Sequence, residues 1–94
     1  MRSIVTTDFE HCFLCRRWLG DSGELHHIFG GANRKVSDKY GLVVKLCHTC
    51  HNEPPYGVHH NRENELRLKR FGQKAFEDIY GHEMFMKLFG RNYE

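Results

Sequence analysis

Apolar and polar positions change rhythm along this chain, and the changes mark its elements. Leu42-Val43-Val44-Lys45-Leu46 is a short apolar, β-branched run and the clearest strand signal. Glu24 to Phe29 alternates more weakly and reads as a second strand, ending at Gly30-Gly31. Residues 33–39 between them are polar and basic and read as a loop, and Gly20-Asp21-Ser22-Gly23 reads as a turn. From Glu63 the period lengthens to that of a helix. Leu66, Phe71, Ala75, Phe76 and Ile79 lie near one stripe, with Arg67, Lys69, Arg70, Lys74, Glu77 and Asp78 largely outside it. Gly81 ends that helix, and Met84, Phe85, Leu88 and Phe89 suggest a last short one closed by Gly90. These Met and Phe stripes read as core rather than as binding surface. Pro54-Pro55-Tyr56-Gly57 forces a break ahead of the long helix.

Composition narrows the class. The 94 residues suit a single domain with a modest core, so a metal staple would add materially to stability. Hydrophobic residues at 39% and charged ones at 28% are ordinary for a globular protein. A formal charge of +2 is too small to argue for nucleic acid unless the positive charge is local. Residues 1–8 hold no apolar stretch of the signal-peptide kind, and no run approaches the roughly 18 residues of a membrane span. The expectation is a cytoplasmic protein with reduced thiols and no membrane partner.

Eight histidines are the compositional anomaly, and six of them lie between residues 26 and 60. They fall within and just after a frame of two Cys-x-x-Cys pairs, Cys12/Cys15 and Cys47/Cys50. Each pair puts two sulfurs on one knuckle, and two knuckles close a tetrahedral structural zinc site with no open position. The 31 residues between Cys15 and Cys47 leave room for a pair of strands. Cys47 to His51 would then open a helical turn, giving a ββα arrangement. The string Cys47-His48-Thr49-Cys50-His51 also matches c-type haem attachment, but that reading leaves Cys12 and Cys15 without a role.

His26 and His27 are adjacent, so a regular strand points them to opposite faces. Taken alone, one is core and the other surface, or one ligates a metal while the other stays a free base. A neutral imidazole with a pKa near about 6.5 can take a proton from water. A divalent ion beside it can stabilise a pentacoordinate phosphate and a leaving oxygen. The pair suits phosphodiester hydrolysis.

In this order, Cys-x-x-Cys, Glu24-Leu25-His26-His27-Ile28, Leu46-Cys47-His48-Thr49-Cys50-His51 and a further histidine resemble the HNH, or ββα-metal, endonuclease superfamily. The resemblance runs from Cys12 to about Asn61, and small phage-type members with a four-cysteine zinc knuckle look nearest. It implies an α+β fold: a ββα core over about 12–61, stapled by zinc on Cys12, Cys15, Cys47 and Cys50, with C-terminal helices over about 62–94. It implies that His27 is the general base. His26 and His51 would be ligands of a catalytic Mg²⁺ or Mn²⁺, with His59 the third ligand and His60 the alternative. His48, between two zinc ligands, would face solvent or pack nearby.

Two departures stand out. Pro55, which cannot ligate, occupies the place one turn after His51. The motif's middle Asn, which pins the loop and whose carbonyl orients the base, falls at Leu42 or Gly41. A backbone carbonyl there could still orient His27, or Asn33 could substitute. Arg34 and Lys35 adjoin the site and suit phosphate contacts, which position DNA without reading its sequence. Arg16-Arg17 flank the first knuckle, the cations of the long helix read as a solvated face, and Glu24 reads as a surface residue or a carboxylate that fixes an arginine or a site histidine. The expected activity is metal-dependent DNA cleavage with little sequence specificity. The alternative is an inactive, zinc-stapled module that binds DNA or protein.

Overall fold

The computed structural model describes residues 2–94. Strand β1 (Glu24–His27) pairs antiparallel with β2 (Val43–Leu46), with Glu24 opposite Leu46 and His27 opposite Val43. One further bond, from Ile28 N–H to the Leu42 carbonyl at 3.0 Å, carries the pairing past the strand end. Ile28 and Phe29 then leave the sheet for the core, so β1 is two residues shorter than its alternation suggested. Val43, Val44 and Leu46 of β2 are all buried, as expected of a β-branched run packed on both faces. Helix α2 (His48–Asn52) follows directly, which gives a small ββα-like arrangement.

Residues 33–39 are not the loop their composition suggested. After a 3₁₀ turn over Gly31–Asn33, Arg34–Lys39 forms helix α1. Six residues are too few for periodicity to show, and no side chain caps the first turn. Tertiary contact supplies the stability instead. Ser37 is fully buried; its Oγ accepts from Phe29 N–H at 3.2 Å and donates to the Leu42 carbonyl at 2.8 Å. This one hydroxyl ties α1 to the end of β1 and the start of β2.

The long helix is α3 (Arg62–Tyr80), and Asn61 caps it by accepting from Asn64 N–H at 2.9 Å. After Gly81 the chain turns into α4 (His82–Phe89). The buried face of α3 is Leu68, Gly72, Gln73 and Phe76; of the expected stripe Phe76 is buried and Leu66 and Ala75 partly so. Phe71 and Ile79 are 49% and 58% exposed. A count of bulky side chains could not find Gly72, where a Cβ would lie 3.1 Å from both Ile28 and Phe29 and so force them apart. Nor could it find Gln73, which is buried because every polar atom is matched. Its Nε2 donates to Glu77 and Asn92, and its Oε1 accepts from Tyr93 N–H at 2.7 Å. Phe29, Phe76, Phe85 and Phe89 form the aromatic centre, with Phe29 and Phe89 4.5 Å apart between centroids. Among the described residues no helix is long and apolar enough to cross a membrane.

Candidate metal centres

The first knuckle is a tight turn. Arg16 N–H bonds back to the Cys12 carbonyl at 2.9 Å, and Cys12 N–H bonds to Arg17 at 2.8 Å. Phe13 N–H donates to the Lys45 carbonyl at 2.9 Å and docks this turn on β2. The second knuckle is the start of α2, where Cys47 Sγ accepts from Cys50 N–H. The four sulfurs of Cys12, Cys15, Cys47 and Cys50 come within 4.8 Å of one another. Cys15 and Cys47 are 3.8 Å apart at sulfur. A disulfide needs about 2.05 Å, whereas zinc–sulfur bonds of about 2.3 Å give a tetrahedron edge of about 3.8 Å. The cluster can hold a metal ion such as zinc. Burial alone would push the Cys12 thiol up, but amide N–H groups of Cys15, Cys47 and Leu14 outweigh it and bring the thiol down to about 7. Cys50 lacks that excess and is pushed up, first by burial and then by the neighbouring sulfurs.

The second group is made of imidazoles. One ring nitrogen each of His26, His51 and His59 lies within 4.8 Å of the others. His26 comes from β1 and is 7% exposed, and its Nε2 is buried without a hydrogen-bond partner. Such an atom costs free energy unless something meets it. Burial, then the nearby His51, His59 and His27, lower the His26 pKa to about 3, so its ring stays neutral and its lone pair stays available. His51 ends α2, and its Nδ1 donates to Glu24 Oε1 at 2.8 Å. That bond leaves His51 Nε2 facing His59 Nε2 at 3.0 Å. A carboxylate behind a ligand histidine fixes its tautomer and raises its basicity. Glu24 also meets His48 Nδ1 at 3.0 Å, and the two histidines hold its carboxyl below the usual range. His48 itself is largely exposed.

His59 reaches this group by an unusual route. The chain leaves α2 at Glu53, loops through Pro54 to Tyr56, and is pinched shut by Gly57 N–H on the Glu53 carbonyl. A Cβ at Gly57 would sit 2.7 Å from Glu53 backbone atoms, so only glycine closes the loop this tightly. Val58 N–H then bonds to Cys50 and His59 N–H to His51, which returns the chain alongside α2. His60 lies outside the group and is exposed.

A cavity of about 250 Å³ opens on these histidines, lined also by His27 and Arg34. An adjoining hollow carries Lys35 and Asp38 beside His27 and Arg34. Arg34 and Lys35 thus flank the site from the first turn of α1 rather than from a loop. His27 Nε2 lies 3.2 Å from Asp38 Oδ1, a partner missed in the sequence because its helix was read as loop. The expected orienting carbonyls are engaged elsewhere: Leu42 O accepts from Ile28 N–H and Ser37 Oγ, and Gly41 O accepts from Ile4 N–H. Asn33 makes no side-chain cap on α1. No protein-family model, curated protein or solved structure matches this chain.

Proposed function

We propose that this protein is a metal-dependent endonuclease of the HNH kind, hydrolysing DNA phosphodiester bonds with little sequence specificity. Zinc in the four-cysteine cluster serves as the structural staple. The observation that carries the reading is the convergence of one ring nitrogen each of His26, His51 and His59 at one wall of a cavity that also holds His27. His27 takes a proton from water, and the hydroxide attacks phosphorus. His26, His51 and His59 hold a divalent ion, which would supply stabilisation of the charge that grows on phosphate and leaving oxygen. Arg34 at the cavity and Lys35 in the adjoining hollow hold the scissile phosphate. Imidazole donors without a carboxylate suit zinc or nickel better than the harder Mg²⁺ or Mn²⁺, so all four ions belong in any assay.

The second reading, an inactive DNA- or protein-binding module, draws on Leu42. This fully buried apolar residue stands where the superfamily pattern has its Asn. The experiment is nicking of supercoiled plasmid by wild type and His27→Ala, each with the four ions and with EDTA. The nuclease reading expects cleavage by wild type alone, abolished by chelation, with a loss of about 10²- to 10⁴-fold in the variant. Equal cleavage by both proteins removes His27 from the mechanism. No cleavage by either, with DNA still bound, selects the binding module.

A further inference from the structure

Two neighbours on α1, Ser37 and Asp38, make the side-chain contacts that tie this helix to the end of β1. Pinning the loop falls to Ser37, whose buried hydroxyl joins Phe29 N–H to the Leu42 carbonyl. That carbonyl cannot also orient a base, because its two lone pairs already serve Ser37 Oγ and Ile28 N–H. Leu42 has no side-chain amide to offer, and the Gly41 carbonyl already accepts from Ile4 N–H at 2.9 Å. The group that meets the imidazole is the next residue, Asp38, at 3.2 Å from His27 Nε2.

We propose that Asp38 is the positioning residue of His27, holding the proton on Nε2 and leaving Nδ1 as the nitrogen that takes the proton from water. The assignment rests on His27 being the base. An ionised carboxylate only accepts hydrogen bonds, so the nitrogen it meets carries the hydrogen. The lone pair is then on the other nitrogen, and ring orientation and tautomer follow from one contact. Ser37 makes the contact dependable, since burying residue 37 sets the rotation of α1 and hence where residue 38 points. Asp38 itself is exposed, at 60% of its side chain, and substituting it leaves the core untouched.

The test uses the full chain, zinc-loaded and uniformly ¹⁵N-labelled, at a pH well above the imidazole range. Long-range ¹H–¹⁵N correlation reads the His27 tautomer in wild type, Asp38→Ala and Asp38→Glu. The Nε2–H form is expected in wild type, a mixture in Asp38→Ala, and recovery in Asp38→Glu, whose carboxylate has room at this exposed position. In plasmid nicking, Asp38→Ala is expected to lower kcat about 10- to 100-fold with KM unchanged, as a misaligned base would, and Asp38→Glu to restore most of it. An unchanged His27 tautomer in Asp38→Ala overturns the assignment, as does wild-type kcat in that variant while His27→Ala is inactive. If wild type cleaves nothing, the nuclease reading fails by itself, and the tautomer comparison still decides whether Asp38 sets His27.

Discussion

The cysteine and histidine clusters share α2, yet they are built on opposite plans. The four sulfurs come from two tight knuckles docked on β2 and held by backbone N–H groups, and they close on themselves. The three imidazoles come from a strand, a helix end and a returning loop, and they line a cavity. A closed tetrahedron of thiolates has no position for water or substrate, whereas three imidazoles at a cavity wall leave one. Their supports differ accordingly. Glu24 backs His51 as a tuning carboxylate would, and one ring nitrogen of His26 is buried without a hydrogen-bond partner. On the proposed reading, closure marks structure and openness marks chemistry.

The sharpest way to break this contrast is to remove one ligand from each cluster. Zinc binding in small domains releases about 10–16 kcal/mol of what is in effect folding energy, against a total stability of about 5–15 kcal/mol for typical domains. Cys47→Ala is therefore expected to abolish cooperative unfolding and amide dispersion in NMR spectra. His51→Ala is expected to keep both. A Cys47→Ala protein with a wild-type melting curve would show that the cluster is no staple.

A smaller effect separates the clusters by pH. The His26 pKa is lowered to about 3 in the folded chain by burial and then by its histidine neighbours. The unfolded chain takes up that proton near about 6.5, so below that pH the unfolded state binds more protons and gains on the folded one. The stability tied to a neutral His26 is present above about 6.5 and drains as pH falls toward about 3. Its size is on the order of a few kcal/mol. Denaturant unfolding of wild type and His26→Leu across that window is expected to show a steeper loss in wild type. Parallel curves would mean that His26 is not held neutral by the fold.

How much of this was legible beforehand depends on the range of the interaction. The Cys-x-x-Cys pairs and Glu24-Leu25-His26-His27 could be read because their geometry is set within three or four bonded neighbours. The helices beyond residue 61 could be read from their period, and the core face of α4 with them, but of the stripe expected on α3 only Phe76 is fully buried. Gly72 and Gln73 are core because of what Ile28, Phe29, Asn92 and Tyr93 do elsewhere. Helix α1 was invisible for the same reason, since its anchor is a serine bonded to both strands. Asp38 belongs to that helix, so its contact with His27 was equally hidden, its acidic character between the two strands being the one local signal of it. The position of His59 depends on the pinch at Gly57 and the return along α2, neither of which spacing from His51 could convey.

The most direct test of the nuclease account is plasmid cleavage followed during stepwise reloading of chelator-stripped protein with Co²⁺. The first equivalent should fill the cysteine cluster, with the sulfur-to-cobalt charge-transfer band as its mark, and restore the fold without cleavage. The second should add only weaker bands of a nitrogen-bound ion, and nicking should rise with it. His51→Ala should accept the first equivalent and lose both the second and the activity. Cleavage that is complete after the first equivalent, or that survives in His51→Ala, would contradict the separation of a cysteine staple from a histidine reaction centre.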